Sequence, residues 1–513
     1  MLYSLYLKEK SHFTEDELKE QFERAYPDST LSDEEWKELR DFLVKEVYAI
    51  EEPRTKRKTI SVNDFDEEES DSENNGKYSI KYVGLIVYKD WVIKYYPKYF
   101  AENNVVEPVG DVFLKKYKQV LKVIRKYKKD NEKDSNALNL FGDKKQSKDG
   151  LLSIIVRLLD DYFVNGCYEN DRIIIKTNGT GEIDWNRTVN CAYPYISDGR
   201  PIYFDYYTRY REKNTDDYFN RLHRCILTQC SLYLDEHDLT DLLDLSTAIL
   251  SEEELDSFGD ESYILERIRN ERSVQFNTKK LEMLELMQAY VEIVNSIGDL
   301  DQMQLYGTYT YNTIWEDVCK KVFDDDLEKE IPAEQKNKVE YYYKWLTLKE
   351  YPKHFDKAEY YKDIVEKPNW IDKVGMEYEP DSTLRLDCIK FNIAKSSMDI
   401  YDAKYYVPNI TENNKIKDSP RVSDVTKQYL YQLAFKSFSD ALGIKNISNS
   451  FLLPYDEDNS DIWGTVGMSM FDSFGLKKIN VVYLCAEKMY DSYLEDKKNG
   501  IDIMNNHRDA IAD

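Results

Sequence analysis

The sequence predicts an α+β N-terminal region with β-hairpins and helices, followed by an α/β domain. Residues 78–100, YSIKYVGLIVYKDWVIKYYPKYF, alternate apolar and polar side chains as a β-hairpin does. Residues 216–297 carry the longer apolar period of helices. Residues 384–406, LRLDCIKFNIAKSSMDIYDAKYY, indicate two strands joined by a short polar turn. Because 513 residues are too many for one ordinary core, we expect roughly two to four domains.

The composition excludes several classes of protein. Hydrophobic residues make up 42% of the chain and aromatic residues 14%, so wholesale disorder is not expected. No apolar run approaches the roughly 20 residues that cross a bilayer, and the start, MLYSLYLKEKSHF, becomes charged too early for a secretory signal. The seven cysteines are scattered and the five histidines are too few for a His-based metal site. We therefore expect a cytoplasmic protein without disulfides, zinc knuckles or a membrane partner.

The charge of the chain is acidic overall and unevenly distributed. The net charge is −26, yet residues 81–150 hold 16 Lys and Arg against 9 Asp and Glu. Acidity argues against autonomous tight binding of DNA, which is itself a polyanion. It does not argue against metal-dependent cleavage, because carboxylates are the ligands of such a metal site.

The first 76 residues are predicted to form helices and a linker. Residues 1–63 are read as a helical N-terminal segment, in which Thr14 and Glu17 make a capping box and Ser32 opens a second helix. Residues 64–76, DFDEEESDSENNG, are too charged to pack. They indicate an acidic linker, with a tail for a basic partner as the alternative.

Residues 77–210 are predicted to form an α+β domain. Its first hairpin turns at Lys89-Asp90, and a basic amphipathic helix follows over residues 113–129. That helix is either a surface helix or a face that contacts phosphates. Residues 172–190, RIIIKTNGTGEIDWNRTVN, indicate strands with glycines at their turn. Residues 211–300 then predict a helical connector.

The candidate chemistry lies on the two strands of residues 384–406. On a strand, residues two apart point to the same side of the sheet, so Asp402 and Lys404 are neighbours on one face. Asp387 on the partner strand can meet them there. Two carboxylates can hold a divalent cation such as Mg²⁺, and an ammonium group can favour a hydroxide nucleophile or the developing charge on phosphorus. This is the minimum apparatus for hydrolysis of a phosphodiester.

The segments on either side supply further candidates. The helix in TIWEDVCKKVF presents Glu316, which can position water or a second metal ion. The helix in DVTKQYLYQLAF presents Gln428 and Tyr431 on one face, to touch the DNA backbone or to brace the site. We expect the carbonyl of Ala403 to be a further metal ligand. An acid on a helix, a hairpin with D…D-x-K and a helix with Gln is the order of the PD-(D/E)xK restriction-endonuclease-like core.

Alternatives remain open for these residues. Acid-x-basic matches are common in so charged a chain, and each residue could instead be a surface charge or part of a strand-end salt bridge. Leu386 stands where a strict Pro-Asp dipeptide would place proline. Asp381, in Glu379-Pro380-Asp381, is the alternative first acid if the hairpin is longer. Asp399 is disfavoured, since it lies three residues before Asp402 and so on the opposite face.

The order of several phrases resembles a known family. The hairpin ends in Pro-Lys at Lys98, and NGTGEIDWNRTVN resembles a Gly-x-Ile-x-Trp-x-(Arg/Lys)-Thr signature that includes Trp185 and Arg187. GRPIYFDYY, IWEDV, RLDCI, DAKYY and KQYLY follow in the same order. Over residues 81–433 the chain resembles the nuclease subunit of LlaJI-type restriction systems, which is related to the McrC subunit of McrBC systems.

The resemblance implies a restriction endonuclease subunit that works with a separate McrB-like AAA+ GTPase and cuts double-stranded DNA. The chain has no G-x-x-x-x-G-K-[ST] phosphate loop of its own. Lys98, Trp185 and Arg187 are then candidate partner-binding residues, with packing inside the chain as the alternative. The expected segments are a helical N-terminal segment (1–63), an acidic linker (64–76), a partner-docking domain (77–210), a helical connector (211–300) and a PD-(D/E)xK nuclease domain (301–513).

A second reading belongs to another class of protein. The chain could be a non-catalytic activator or adaptor of the ring GTPase with a decayed nuclease fold. The intact set of Asp387, Asp402 and Lys404 argues against decay, whereas the missing Pro-Asp dipeptide favours it.

Overall fold

The structure, a computed structural model, describes residues 3–25, 32–46, 48–50, 78–88, 91–102, 110–131, 151–296, 304–347, 350–380, 382–411 and 415–505. The strands are β1 (Tyr3–Lys8), β2 (His12–Phe13), β3 (Tyr48–Ile50), β4 (Tyr78–Ile80), β5 (Val83–Tyr88), β6 (Trp91–Tyr96), β7 (Asn170–Thr177), β8 (Glu182–Ile183), β9 (Tyr195–Ser197), β10 (Arg200–Ile202), β11 (Tyr207–Asn214), β12 (Gln304–Thr308), β13 (Trp370–Ile371), β14 (Glu377–Tyr378), β15 (Cys388–Asn392), β16 (Ser397–Ala403), β17 (Asn409–Ile410), β18 (Ile416–Lys417), β19 (Asn446–Tyr455), β20 (Asp461–Val466) and β21 (Ile479–Cys485). The α-helices are α1 (Glu15–Ala25), α2 (Asp33–Glu46), α3 (Gly110–Asp130), α4 (Leu151–Asn165), α5 (Trp185–Cys191), α6 (Tyr218–Glu236), α7 (Glu261–Val274), α8 (Thr278–Ser296), α9 (Tyr311–Val322), α10 (Ala333–Tyr341), α11 (Val422–Leu442), α12 (Ala486–Leu494) and α13 (Gly500–Asn505).

The first two helices begin at the predicted capping residues. The backbone N–H of Thr14 donates to Glu17 Oε2 at 2.7 Å, and the N–H of Glu17 donates back to Thr14 Oγ1 at 3.2 Å. Ser32 and Glu35 exchange the same two bonds at the start of α2. Each pair satisfies N–H groups that have no partner inside the helix. The predicted capping box of α1 and the predicted start of α2 are confirmed.

The expectation that residues 1–63 are wholly helical is wrong for the residues before α1 and for Tyr48–Ile50, which form β3. Tyr3–Lys8 form β1, which pairs in parallel with β6 from Tyr3 opposite Trp91 to Lys8 opposite Tyr96. The six residues YSLYLK are too short a run to distinguish a strand from a helix by their period. A partner strand almost ninety positions away decides the outcome, and no local pattern reveals it.

Two earlier expectations lie outside the described residues. They are the acidic linker at 64–76 and the turn at Lys89-Asp90. The strands that flank that turn, β5 and β6, are neighbours in a sheet of order β1-β6-β5-β12, so the hairpin itself is confirmed.

The chain divides into two compact units. We call residues 1–2, 86–90 and 142–306 the inserted unit, and residues 3–85, 91–141 and 307–513 the composite unit. This division differs from the five predicted segments, because the composite unit joins the N-terminal segments to the predicted nuclease domain. A compact unit is defined by contacts between residues that are distant in the chain. Composition and hydrophobic period reveal only where the local character of the sequence changes.

The inserted unit combines a small antiparallel sheet with helices. Its strands lie in the order β7-β11-β8, and β9 pairs with β10 in a separate hairpin. The expected strand over Trp185 to Asn190 is wrong, because this segment forms α5. Asp184 caps that helix by accepting the N–H of Arg187 at 3.0 Å. At the predicted glycine turn, Gly181 has a positive φ of 123°, and a Cβ there would lie 2.5 Å from the carbonyl oxygen of Arg209.

The composite unit contains the sheet that carries the candidate site, with strands in the order β15-β16-β19-β21-β20. The hairpin of β15 and β16 is antiparallel, with Cys388 opposite Tyr401, and β16 pairs in parallel with β19. This confirms the predicted hairpin. The sheet packs on α11, where Ile389, Met398 and Ile400 bury against Phe435 and Phe438.

The strand β15 lies at the edge of this sheet, and neighbouring carboxylates cover it. Asp325 accepts the N–H of Ile389 at 2.9 Å, and Asp326 accepts the N–H of Phe391 at 2.8 Å. Because these N–H groups already have partners, they cannot pair with a further strand. The two aspartates therefore hold β15 on one side, and β16 holds it on the other.

The predicted mixture of α and β structure is confirmed, while the PD-(D/E)xK arrangement of its second half stays a prediction. Among the described helices, none has the length and apolar character needed to cross a membrane.

Candidate active site

The two predicted acids meet at the end of the β15–β16 hairpin. Asp387 directly precedes β15, and its Oδ2 accepts the backbone N–H of Ala403 at 3.0 Å. By the register of the hairpin, Asp387 lies opposite Asp402. Each carboxyl group affects the pKa of the other, as neighbouring titratable groups do. The structure therefore brings these two acids together.

Lys404 completes the cluster on the same face as Asp402. Its Nζ lies 3.0 Å from Asp402 Oδ2 and 3.6 Å from Asp424 Oδ1. The Lys404 side chain is 21% exposed and that of Asp402 is 7% exposed. The backbone N–H of Lys404 donates to the carbonyl of Leu452 at 2.9 Å, so the pairing with β19 continues past the end of β16. The two-residue period places the ammonium beside the carboxylate, as predicted.

The electrostatics of the cluster are those of buried like charges with one cation. Burial raises the pKa of Asp402, and the neighbouring Asp387 raises it further. Burial likewise raises the pKa of Asp387, to which Glu316 adds. Burial alone would lower the pKa of Lys404, but Asp402, Asp387 and Asp424 outweigh it and hold that pKa above its ordinary value. Lys404 is therefore a permanent cation here, and the carboxyl pair retains protons more strongly than exposed aspartates do.

Glu316 lies on α9, within electrostatic reach of the cluster. Burial raises the pKa of Glu316 and Asp402 adds to it, while Lys404 and Arg385 oppose the increase. A carboxylate with a raised pKa is a stronger base than an exposed one, so Glu316 is a candidate proton acceptor.

One face of α11 is directed at the cluster. Asp424, Gln428 and Tyr431 are spaced by four and three residues, which places them on that face. The hydroxyl of Tyr431 donates to the carbonyl of Arg385 at 2.6 Å, and the pKa of Tyr431 is raised by burial and by the two aspartates. Gln428 is fully buried, and neither polar atom of its side chain has a hydrogen-bond partner among the described residues. Buried amides are almost always satisfied, so this one is available to a ligand or water.

Sequence reasoning missed two residues of the cluster. Asp424 pairs with Lys404, and Arg385 acts on Glu316. The spacing of Asp424 from Gln428 could have revealed the first. Nothing in the sequence distinguishes Arg385 from other surface cations except its position two residues before Asp387.

Comparison with known proteins identifies the family. The model of the LlaJI restriction endonuclease family matches residues 82–338 and 337–487, well over half of the chain. The chain belongs to the LlaJI restriction endonuclease family. The resemblance inferred from residues 81–433 is thereby confirmed, and the chain is a restriction-system component.

Other matches of this LlaJI-family chain are more distant. It is 26% identical over 447 residues to the type II restriction enzyme BsuMI component YdjA of Bacillus subtilis strain 168, a match that spans 83% of each chain. It is also similar to a chain from an assembly of Thermococcus gammatolerans McrB AAA+ hexamers with bound McrC. That match has 11% identity and a TM-score of 0.36, and it covers 96% of this chain and 99% of the other. A second structure of the Thermococcus gammatolerans McrBC complex matches with 12% identity and a TM-score of 0.24, over 61% of this chain and 84% of the other.

The donor set of the LlaJI-family cluster suits Mg²⁺. Its carboxylates are oxygen ligands, and their raised pKa values reflect buried negative charge that a divalent cation would neutralise. In the described part of the chain, no three or more His, Cys, Asp or Glu side chains are grouped closely enough to hold a metal ion. Glu316 is therefore not gathered with Asp387 and Asp402 into a set of three ligands. Because Mg²⁺ commonly takes one or two carboxylates and keeps several waters, the pair alone fits it.

The structure places the three candidate partner-binding residues differently from one another. Lys98 is only 8% exposed, and its Nζ lies 3.0 Å from both carboxylate oxygens of Asp418. A contact of this side chain with another protein would require that pair to open. Trp185, 56% exposed, and Arg187, whose guanidinium lies over the ring of Tyr207, are both at the surface of the inserted unit.

The basic helix α3 is partly neutralised within the composite unit. Lys115 pairs with Glu487, Lys116 with Asp456 and Lys126 with Asp496. These lysines already face carboxylates of the same unit. The structure therefore favours a surface helix over a face that contacts phosphates.

The candidate first acid at Asp381 lies outside the described residues, whereas Asp399 is described and lies on the other face of β16 from Asp402.

Proposed function

We propose that this chain is the Mg²⁺-dependent DNA endonuclease subunit of a LlaJI/McrBC-like restriction system, active in anti-phage defence. One observation carries the proposal. Asp387, Asp402 and Lys404, predicted from the sequence as a phosphodiesterase centre, converge at one end of the β15–β16 hairpin. The family to which the chain belongs is named for restriction endonucleases.

Each residue then has a stated task. Asp387 and Asp402 would hold Mg²⁺, together with the carbonyl of Ala403. When bound, the cation activates water and neutralises the charge of the scissile phosphate. Lys404 is held as an ammonium by its acidic neighbours, and it stabilises the negative charge that develops on the phosphate oxygens. The Oε atoms of Glu316 accept the proton that the attacking water loses.

The face of α11 supports this arrangement. The hydroxyl of Tyr431 holds the carbonyl of Arg385 two residues before Asp387, so Tyr431 braces the first acid instead of touching DNA. The amide of Gln428 is fully buried and has no hydrogen-bond partner among the described residues, so we assign it to holding a water of the site and not to contact with DNA.

We further propose that cleavage requires a separate McrB-like AAA+ GTPase. The sequence contains no phosphate loop of its own, and the Bacillus relative is itself named a component of a restriction enzyme. Trp185 and Arg187, exposed in the inserted unit, are the proposed contacts with that partner.

The experiment uses the full chain with the AAA+ GTPase, duplex DNA, GTP and MgCl₂. Asp402→Ala is expected to abolish cleavage while binding to the GTPase is retained. Asp399→Ala is the matched control, since it removes a carboxyl of the same strand that faces the other way. Mg²⁺-dependent cutting by Asp402→Ala would overturn the nuclease assignment.

Measuring GTP turnover in the same reactions distinguishes a nuclease from a non-catalytic activator of the GTPase. Stimulated turnover without any DNA product, by wild-type protein and by Asp402→Ala alike, would favour the non-catalytic activator.

A further inference from the structure

Two residues that follow Lys404, Tyr405 and Tyr406, contact side chains from distant segments of the chain. The hydroxyl of Tyr405 donates to Glu9 Oε2 at 2.5 Å. The rings of Tyr405 and Tyr406 lie beneath the ammonium of Lys98, at 5.2 and 5.3 Å from their centroids. These contacts join residues more than three hundred positions apart, and all of them lie inside the composite unit.

Asp418 links the same segment to Lys98. Its carboxylate receives Lys98 Nζ at 3.0 Å through both oxygens, and its Oδ2 also accepts the backbone N–H of Val407 at 2.8 Å. The backbone N–H of Lys98 in turn faces Glu9 Oε2 and the hydroxyl of Tyr405, each at 3.2 Å. We call Glu9, Lys98, Tyr405 and Asp418 the Lys98 brace.

The brace also reaches the helix that carries Glu316. The ring of Tyr405 lies 5.4 Å from that of Tyr311, the first residue of α9. Tyr311 donates its hydroxyl to Tyr490 at 3.0 Å, and both rings are fully buried. The segment after Lys404 and the start of α9 thus pack on the same aromatic cluster.

Burial of such charges is not an efficient source of stability. Glu9 is 7% exposed, and taking a carboxylate and an ammonium out of water carries a desolvation penalty that their mutual attraction often only offsets. Apolar residues of similar volume stabilise a core at least as well. What a hydrogen-bonded charge pair adds is a unique geometry, here for the chain immediately beyond Lys404.

We propose that Glu9, Lys98 and Asp418 are positioning residues for Lys404, acting through Tyr405, Tyr406 and Val407. The proposal rests on the nuclease function proposed above. It gives Lys98 a role within the chain, and it makes the N-terminal segments part of the framework of the catalytic cluster.

The test uses the full chain with its GTPase partner, and Tyr405→Phe is the central variant because it removes one hydroxyl and little volume. Tyr361→Phe is the matched control, since its hydroxyl donates to Gln335 at 2.9 Å in the same unit, away from Lys404. We expect the single-turnover cleavage rate of Tyr405→Phe to fall about 10- to 100-fold, with unchanged half-saturation by DNA. Its melting temperature should fall no more than that of Tyr361→Phe.

Lys98 provides an independent pair of variants. Lys98→Met should lower the cleavage rate in the same way, and Lys98→Arg, which can keep both bonds to Asp418, should restore most of it. A rate within about twofold of wild type for Tyr405→Phe and Lys98→Met would overturn the proposal. So would a loss of rate that simply follows the loss of melting temperature.

A second readout does not depend on cleavage. Lys404 opposes cation binding at Asp387 and Asp402, so Lys404→Met should bind Mn²⁺ more tightly, and brace variants that displace Lys404 should shift the Mn²⁺ affinity in the same direction. If the wild-type protein cuts no DNA but the brace variants show this shift, the nuclease function fails and the brace stands. If the wild type cuts and the brace variants match it in both rate and Mn²⁺ affinity, the brace fails alone.

Discussion

The Nζ atom of Lys404 lies 3.0 Å from Oδ2 of Asp402, although both side chains are largely withdrawn from water. Asp402 keeps a raised pKa in spite of this cation, because burial and Asp387 outweigh it. Asp387, Glu316 and Asp424 also lie within electrostatic reach of this pair, so the cluster contains more acids than Lys404 alone can neutralise. That imbalance is the physical basis for a cation site and for the predictions below.

Loss of the Lys404 ammonium should impair the chemical step. We expect Lys404→Met to lower the cleavage rate about 100- to 1,000-fold, the usual cost of removing a group that stabilises transition-state charge. Lys390→Met is the control, since Lys390 is also 21% exposed and also pairs with two acids of the composite unit. A Lys390→Met protein as impaired as Lys404→Met would indicate that structural damage, not lost charge, explains the result.

Binding of Mg²⁺ should release protons below neutral pH. The raised pKa values of Asp387 and Asp402 mean that the pair is partly protonated where ordinary aspartates, with a pKa of about 3.9, are ionised. The cation binds the ionised form, so its affinity should rise with pH until the pair is fully ionised and become constant above that. Calorimetry in two buffers of different ionisation enthalpy measures the release. Equal heats in both buffers at pH 6 would contradict the prediction.

Replacement of Gln428 should separate function from stability. Its buried amide has no hydrogen-bond partner in the described part of the chain, a situation that costs about 1–3 kcal/mol. We therefore expect Gln428→Met to keep or raise the melting temperature while lowering the cleavage rate about tenfold. Gln432→Met on the same helix should do the reverse, because Gln432 donates to the carbonyl of Lys477 at 3.3 Å. Unchanged cleavage by Gln428→Met would remove Gln428 from the site.

Truncation of the exposed tryptophan of the inserted unit should weaken binding to the GTPase. We expect Trp185→Ala to lower the affinity about 10- to 100-fold, in the range of aromatic interface residues, and Arg187→Ala to lower it less. Phe276→Ala is the control, since Phe276 is 95% exposed in the same unit. Biolayer interferometry with the immobilised GTPase measures the affinity. Equal losses for Trp185→Ala and Phe276→Ala would show that the effect is not specific to the predicted contact.

Local patterns were sufficient for much of the fold. The capping box of Thr14 and Glu17, the β15–β16 hairpin and the face shared by Gln428 and Tyr431 all follow from contacts within a few residues. Local patterns failed where the partner is distant or the signal short. Strand β1 depends on β6, and α5 depends on one cap, Asp184, inside a segment rich in strand-forming residues.

The amino-acid order was enough to predict the family, the hairpin and the trio of Asp387, Asp402 and Lys404, because the period of a strand brings alternate residues to one face. The surroundings of that trio came only from the folded structure. It supplied Asp424 as a partner of Lys404 and buried Lys98 against Asp418. Such ion pairs form only when the fold brings distant segments together, and no local pattern of residues can indicate them.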